Sequence, residues 1–488
     1  MLFAYDIIKQ SKKSDRGGTH VKNIIKLSVL LLVFVLICSA CTQEAPEVIP
    51  EYAPSLSGTN LDGHTVNWGF SMDRYHDNVD NVFGFIPGTV FADQVTERKK
   101  QVDKDLNCKI VVDNNSNSYI IQDRLNASIM SGSRLYDIAT SDSSLLRGMV
   151  RAGGYLVGLS SLLDVQNTDK WGPPNMLYML LWKDDLFGVV PFAWPELLYS
   201  TTGHIIAVNE TMVSQLAQPD PREYVENGTW TWDLFEDVLK TYTYQESGRT
   251  VYGMLTHHAY FAMNMFLSNG VTFSSFENGN VVCGIYTEPG RVALERAKSI
   301  HNETCKDCFY PEDTTSGEHF LNGDAVMVVT SHGGLISTSE SLMYKMDNIG
   351  ILPFPIGPNA TPGVYRSYYE QIAFSTVIPV NTTDAQAAAL VLSAMFEPFP
   401  GLETKADIAE YLATQTFFDI RDAEIFINTI THTEYGFFWE GGRSAIETSI
   451  NANTPVSQIL ESMQNNYDQL VEDYLVNHYA GRVAVYGE

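Results

Sequence analysis

Strand-like and helix-like segments alternate along the first part of this chain, and this alternation is the strongest constraint on its fold. Three short runs rich in β-branched and aromatic residues, TVNWGFSM, CKIVVD and YDIAT, lie between residues 65 and 140. The runs that separate them, DQVTERKKQVDKDLN and IIQDRLNASIMSG, have the charges and spacing of helices. Such a strand–helix–strand succession places parallel strands in one sheet with helices on its faces. The sequence therefore predicts an α/β fold.

Further strands and helices are predicted in the rest of the chain. GHIIAVN, AVMVVTS and NIGILPFPIG are typical of strands, and the last of them ends at prolines. Thr231 is placed to cap the helix WDLFEDVLKTY, on which Trp232 and Phe235 share a face. Near the end of the chain, Thr454 is expected to cap a helix that Pro455 opens. A chain of this length has room for two domains.

A short apolar run at residues 27–40 ends directly at Cys41. A membrane-spanning helix needs roughly 20 apolar residues, so this run is too short. Lys22 and Lys26 before the run, and the small residues at its end, are typical of a secretory signal. The end of the run, CSAC, resembles the lipobox of bacterial lipoproteins, in which the cysteine is diacylated and becomes the first mature residue. We therefore predict lipidation at Cys41; a cleaved signal without lipid and a retained anchor are the alternatives.

Two segments flank this predicted processing site. Residues 1–40 are the predicted signal peptide, although residues 1–20 are long and mixed in charge for such a segment, which favours a translation start at Val21. Residues 41–64 are polar and interrupted by Pro and Gly, which is typical of a flexible tether. The sequence thus predicts a folded body held away from a membrane by a short linker.

Acidic residues dominate the predicted mature chain. The whole sequence has 31 Lys and Arg against 58 Asp and Glu, and residues 1–40 contain six of the basic and two of the acidic residues. Removal of that segment leaves 25 basic and 56 acidic residues, a net charge of −31. A surface of this charge repels phosphate backbones and anionic lipids. The charge argues against nucleic-acid binding, and membrane attachment has to come from the lipid.

No motif in this sequence indicates metal binding or catalysis. CKDC at residues 305–308 lacks the second Cys or His pair of a structural zinc site. Whether Cys108, Cys283, Cys305 and Cys308 form disulfides stays open. GxSxG, HExxH and GxxxxGKS/T do not occur. We expect neither an enzyme nor a bound cofactor, and any ATPase has to be a separate chain.

Three further segments carry a resemblance to a known family. ENGTWTWDLFEDVLKTYT, GEHFLNGDAVMVVTSHGGL and AFSTVIPVNTTDAQAAALVLSAMF occur in this order. They resemble segments that occur in the same order in the family 1 extracellular solute-binding proteins, the receptors of ABC importers. The resemblance covers about residues 65–475 and departs from the family pattern at GHIIAVNE and HGGL.

The resemblance implies a type II periplasmic-binding-protein fold, in which two α/β lobes joined by a hinge hold a ligand in the cleft between them. The first lobe would comprise residues 65–200 with 345–395, and the second lobe residues 201–344 with 396–488. ABC permease subunits with a separate ATPase are the implied partners, at the extracellular face of a bacterial membrane. A carbohydrate or oligosaccharide is the expected ligand. The alternatives are a receptor for a peptide, an amino acid or a polyamine, and a protein that presents its ligand to a sensor.

Candidate ligand-binding residues lie after predicted strands and in the segments that face the cleft in the family. Aromatic faces suit the apolar surface of a sugar ring, and carboxylates and hydroxyls suit its hydroxyl groups. The candidates in the first part of the chain are Asp73, Arg74, Tyr75, Ser141, Asp142, Trp194, Glu196 and Tyr199. Further along the chain they are His257, His332, Tyr369, Glu370 and Trp439. Trp230 and Trp232, by contrast, are expected to pack in the core.

Overall fold

A computed structural model describes most of the chain beyond residue 58. The described residues are 59–71, 83, 90–172, 174–192, 194, 203–336, 341–369, 374–435, 446–448, 450 and 453–487. The chain divides into two compact units, Met1–Ala53 and Pro54–Glu488, and all described residues belong to the second.

Short strands and helices succeed one another throughout the described ranges. The strands are β1 (His64–Ser71), β2 (Cys108–Ser116), β3 (Ile138–Asp142), β4 (Leu181–Trp182), β5 (Asp185–Leu186), β6 (Ile205–Asn209), β7 (Tyr244–Glu246), β8 (Arg249–Leu255), β9 (Ser274–Glu277), β10 (Asn280–Cys283), β11 (Ala325–Thr330), β12 (Ile349–Leu352), β13 (Ser367–Tyr369), β14 (Phe374–Val377) and β15 (Thr433–Tyr435). The helices are α1 (Val90–Asp105), α2 (Ser118–Ser131), α3 (Ser143–Ala152), α4 (Thr168–Trp171), α5 (Pro174–Leu177), α6 (Glu210–Gln215), α7 (Arg222–Glu226), α8 (Trp232–Thr241), α9 (His258–Leu267), α10 (Glu288–Ser299), α11 (Gly317–Leu321), α12 (His332–Leu335), α13 (Leu342–Lys345), α14 (Ala385–Met395), α15 (Lys405–Leu412), α16 (Ile420–Thr431), α17 (Val456–Leu470) and α18 (Val476–Tyr486).

The first sheet has the strand order β14–β3–β1–β2. β1 runs parallel to β2 and to β3, and Trp68 lies opposite Val112 on one side and Ile138 on the other. β14 joins β3 in the antiparallel direction from much later in the chain. The indole of Trp68 is wholly buried and donates a hydrogen bond to Thr140 Oγ1 at 2.9 Å. The predicted parallel sheet with intervening helices is confirmed.

The second sheet has the strand order β12–β6–β11–β8–β7. β8 and β11 are parallel, whereas β6 is antiparallel to both β11 and β12. Every residue of β11 is buried, as expected of a central strand with both faces covered. Its sequence, AVMVVT, is correspondingly apolar almost throughout.

The strand pairings show where the chain passes from the second sheet back to the first. Residues 345–395 were assigned to the first lobe, but β12 pairs with β6 of the second sheet, from Ile349 opposite Asn209 to Leu352 opposite Ile206. The chain therefore returns to the first sheet after β12, because β14 is the next strand to join it.

At the end of the chain, α18 packs on the β4–β5 hairpin, where Lys183 N–H donates to Asn477 O at 2.8 Å.

Local helix signals were mostly correct. Thr231 caps α8 by accepting a hydrogen bond from Leu234 N–H, and both tryptophans of NGTWTW are buried, as expected. Thr454, however, does not cap α17, because the helix begins at Val456 and Pro455 occupies the cap position without a side-chain hydrogen bond. In the part of the chain that the structure describes, none of the helices combines the length and apolar character needed to cross a membrane.

Candidate functional site

The carboxyl edge of the first sheet is lined by hydroxyl groups. The hydroxyls of Ser71, at the end of β1, and Ser118, at the start of α2, lie 2.7 Å apart. Ser118 Oγ accepts from Asp142 N–H at 3.4 Å, and Ser118 O accepts from Ser141 Oγ at 3.3 Å. Open α/β sheets bind their ligands at this edge. Two predicted site residues, Ser141 and Asp142, are thereby placed in one network.

The two predicted residues differ in accessibility. Ser141 is wholly buried, so its hydroxyl serves the internal network in this structure. Asp142 is partly exposed, and its Oδ1 accepts from Ser144 N–H at 2.9 Å and from Ser144 Oγ at 2.8 Å, which caps α3. Asp is one of the residues preferred at this cap position.

A second polar group lies where β2 ends. Arg124 Nη1 donates to Ser116 Oγ at 2.7 Å and to Asp113 Oδ2 at 2.9 Å, and the Tyr136 hydroxyl donates to the same Asp113 oxygen at 2.7 Å. Burial, followed by this bond to Asp113, raises the pKa of Tyr136 to about 12. The phenol is therefore a neutral donor over the physiological range. Sequence reasoning missed this group, because its members come from a strand, a helix and a loop.

Tyr119 is a further residue that the sequence analysis missed. It lies in the first turn of α2, directly beside Ser118, and it is 66 % exposed. An exposed aromatic ring at the carboxyl edge of a sheet offers an apolar face to a ligand. Its position after the predicted strand CKIVVD was the available signal.

The carboxyl edge of the second sheet carries three aromatic rings in contact. Tyr260 stacks on His204, with ring centroids 4.0 Å apart, and meets His257 edge-to-face, with centroids 5.0 Å apart. His257 precedes α9 after the end of β8, its side chain is 37 % exposed, and its Nδ1 lies 3.3 Å from Asp313 Oδ1. The same oxygen accepts from the His258 N–H at 2.7 Å. Asp313 was not predicted, because 55 residues separate it from the backbone group it binds.

Asn264 joins this edge to β13. Its Oδ1 accepts from Tyr368 N–H at 2.8 Å and from Ser367 Oγ at 3.2 Å, and its Nδ2 donates to Tyr260 O at 2.7 Å. Ser367 Oγ also donates to His204 O at 2.6 Å. The backbone of β13, which includes Tyr369, is thus fixed beside the three rings.

The remaining predicted residues fall into two groups. The backbones of His332, at the start of α12, and Tyr369, at the end of β13, are described, but their side chains are not. Outside the described residues lie Cys41, Asp73, Arg74, Tyr75, Glu196, Tyr199, Glu370 and Trp439.

Since β11 and β8 are parallel neighbours, His332 and His257 both follow strands that end at one edge. No group of His, Cys, Asp and Glu within the described ranges is arranged to hold a metal ion.

Comparison with known families identifies the class of protein. A family model described as bacterial extracellular solute-binding protein matches residues 92–398. The chain belongs to this family. Its match extends over most of both sheets of this solute-binding protein. A search among curated proteins found no match.

Solved structures show the fold of this solute-binding protein. The cyclic α-maltosyl-1,6-maltose binding protein from Arthrobacter globiformis is 13 % identical, with a TM-score of 0.59 and coverage of 84 % of this chain and 100 % of that chain. A sugar transporter from Rhizobium etli in an open conformation is 17 % identical, with a TM-score of 0.58 and coverage of 83 % and 99 %. An ABC substrate-binding protein from Listeria monocytogenes in complex with cycloalternan is 14 % identical, with a TM-score of 0.53 and coverage of 84 % and 99 %. The solute-binding protein therefore has the two-lobed type II fold.

Trp194, another predicted ligand contact, lies in the core of the solute-binding protein. Its indole is wholly buried, with ring centroids of Phe396 at 4.8 Å and Phe399 at 5.3 Å, and its Nε1–H donates to Glu397 O at 3.3 Å. A solute could reach this ring only if the aromatic cluster opened. Ligand contact by Trp194 stays a prediction, and its position in this structure is that of a packing residue.

Proposed function

We propose that this solute-binding protein captures a carbohydrate or oligosaccharide and delivers it to an ABC-type importer. The observation that carries the proposal is the pairing of aromatic rings with polar groups at both sheet edges. Tyr119 follows Ser118 of the serine network in the sequence, and the ring of Tyr260 contacts that of His257, whose Nδ1 lies 3.3 Å from Asp313 Oδ1. Rings match the apolar face of a sugar, and hydroxyl and carboxylate groups match its hydroxyls.

The similar structures support this class of ligand. The proteins from Arthrobacter globiformis and Rhizobium etli are described as binding or transporting sugars, and the protein from Listeria monocytogenes was solved with cycloalternan. A peptide, an amino acid or a polyamine is the alternative ligand on the same fold. A role in presenting the ligand to a membrane sensor is the alternative to transport.

We further propose that a lipid on Cys41 anchors the protein to the extracellular face of the cell membrane. The apolar run and the CSAC sequence support this proposal, since they have the order of a lipoprotein signal. Residues 41–64 would then act as the tether between the lipid and the folded body. The ATPase and the permease subunits of the importer would be separate chains.

Thermal unfolding of the purified protein tests the ligand class. The midpoint is measured with a panel of mono- and oligosaccharides, peptides, amino acids and polyamines. A ligand at 100 times its dissociation constant adds about 2.7 kcal/mol to the free energy of unfolding, a shift of about 3 °C for a chain of this size. A shift with one class of glycan is the expected result. A shift with a peptide or a polyamine and none with sugars would overturn the carbohydrate proposal.

A further inference from the structure

Cys305 and Cys308 share one tight turn after α10. The helix continues as a π-helical turn, Ile300–Thr304, and is followed by the 3₁₀ turn Lys306–Cys308. Cys308 N–H donates to Cys305 O at 2.8 Å. A turn closed by such a bond keeps its first and fourth Cα atoms within about 7 Å. Disulfides span Cα separations of roughly 4.4–6.8 Å, so the backbone already brings the two residues to the required distance.

The two thiols lie inside the protein. Cys305 is only 1 % exposed and Cys308 only 7 %. Cys305 Sγ lies 3.8 Å from Glu236 O, which belongs to α8. The neighbouring thiol of Cys305 lowers the pKa of Cys308, and the thiol of Cys308 raises the pKa of Cys305.

The other two described thiols provide a contrast. Burial raises the pKa of Cys108 and of Cys283 to about 11 each. The thiolate is the species that attacks disulfides, so a neighbour that lowers the pKa of a thiol favours this reaction. Cys305 and Cys308 therefore differ from the other two thiols in sharing one turn and in the lowered pKa of Cys308.

We propose that Cys305 and Cys308 form an intramolecular disulfide once the chain is exported. The Cys308 thiolate attacks a low-molecular-weight disulfide, forms a mixed disulfide and releases one thiol. Cys305 then loses its proton to solvent, attacks the Cys308 sulfur and releases the second thiol. Two protein S–H bonds are replaced by one S–S bond while the external disulfide is reduced to two thiols. The inference goes beyond the proposed function and requires export but no particular solute, because disulfides persist outside the cytosol.

This disulfide would fasten the segment that reaches the candidate site. Phe309 forms a bridge with Met254 at the end of β8, and Tyr310 N–H donates to Met254 O at 2.9 Å. The same segment continues to Asp313, which contacts His257 and the N-terminus of α9. A covalent link would close the turn from which this segment starts, between the π-helical turn Ile300–Thr304 and the edge of β8.

Differential alkylation of the full chain tests the proposal. The protein is incubated with excess oxidised glutathione, denatured and treated with iodoacetamide, then reduced and treated with N-ethylmaleimide, and peptides are mapped by mass spectrometry. Cys305 and Cys308 should carry only N-ethylmaleimide. Cys108 and Cys283 should carry only iodoacetamide. Thermal midpoints are compared with and without dithiothreitol in the wild type and in Cys305→Ser/Cys308→Ser. The variant Cys108→Ser/Cys283→Ser is the matched control.

Reduction should lower the thermal midpoint of the wild type and of Cys108→Ser/Cys283→Ser by roughly 2 °C. The thermal midpoint of Cys305→Ser/Cys308→Ser should not change on reduction. The proposal is overturned if Cys305 and Cys308 carry iodoacetamide after oxidation, or if a peptide map of the unreduced protein links either to a different thiol. Should the double variant fail to fold, the peptide map of the wild type alone decides. Neither the peptide map nor the thermal midpoints require a bound solute. Failure of the proposed solute-binding function would therefore leave the test of the disulfide unaffected.

Discussion

The hydroxyl groups of Ser71 and Ser118 lie 2.7 Å apart and tie the end of β1 to the first turn of α2. This contact fixes the start of α2 against the carboxyl edge of the first sheet. β3, the parallel neighbour of β1, ends at the same edge, where its Asp142 N–H donates to Ser118 Oγ. The backbone of Tyr119, the next residue in α2, is therefore held at this edge, and its side chain is 66 % exposed. Rigid support of this kind lowers the entropy cost of binding.

Replacement of this ring should weaken solute binding without destabilising the fold. Tyr119 is 66 % exposed, so Tyr119→Ala should change the free energy of unfolding by less than about 0.5 kcal/mol. Loss of a stacked ring should reduce affinity by about 0.5–1.5 kcal/mol, or roughly 2- to 13-fold. Titration calorimetry with the solute found in the thermal screen provides the measurement. Met130→Ala, at a 78 % exposed position in the same helix, is the control, and equal affinities of the two variants would contradict the assignment.

Removal of the Asn264 amide should destabilise the protein. Asn264 is wholly buried, and Asn264→Ala would remove the acceptor of Tyr368 N–H and the donor to Tyr260 O. Loss of buried partners of this kind costs about 2–4 kcal/mol. Urea denaturation measures this loss. Asn280→Ala, at an exposed position in β10, should stay within about 0.5 kcal/mol of the wild type, and a similar small effect at Asn264 would disprove the argument.

Stability should depend on pH through Asp137. Burial raises its pKa, but hydrogen bonds from Arg134, Asn67 N–H and Thr382 outweigh burial and hold the pKa below its ordinary value of 3.8. A carboxyl with a lowered pKa in the folded state adds stability above its unfolded pKa, and this stability is lost as the pH falls through the folded pKa.

Asp137→Asn should therefore lose about 2–4 kcal/mol at pH 7, and its difference from the wild type should shrink below about pH 4. Denaturant unfolding at several pH values provides the measurement. Asp123→Asn, at an exposed position in α2, is the control and should follow the wild type throughout. A difference that stays constant from pH 7 to pH 3 would contradict the linkage.

Replacement of Cys41 should release the protein from the membrane. Cys41 would carry the lipid, and Cys41→Ala leaves an acidic chain that anionic lipid surfaces repel. Metabolic labelling with palmitate should mark the wild type and not the variant, and the variant should move from the membrane fraction to the medium. Cys108→Ala is the matched control and should keep the label. A variant that retains both label and membrane location would refute lipidation at this residue.

Local sequence signals predicted the elements better than their partners. Thr231 and the apolar face that follows it gave the correct start of α8, because a cap depends on residues three positions apart. NIGILPFPIG was correctly predicted as a strand, but its sheet was not, since the choice of partner depends on β6 far away in the chain. The residue pattern within β12 carries no information about its pairing with β6.

The candidate site was predicted only where it follows a strand end. Asp142 and His257 come directly after β-like runs, and both lie at the carboxyl edges of their sheets. Asp313 and Arg124 have no such neighbour and join the site through contacts across the fold. Burial was equally hard to predict: Ser141 is buried like the rest of β3, whereas the adjacent Asp142, the last residue of that strand, is partly exposed.

The antiparallel strand β14 sets the order in which the chain can fold. Its residue Ser375 hydrogen-bonds to Ser143, although 232 positions separate the two. In a chain exported from its N-terminus, β3 has an open edge until β14 has emerged, so the first lobe cannot complete its sheet during most of the passage. Pairing over such distances in the chain folds slowly. The topology thus makes completion of the first sheet wait until almost four fifths of the chain is available.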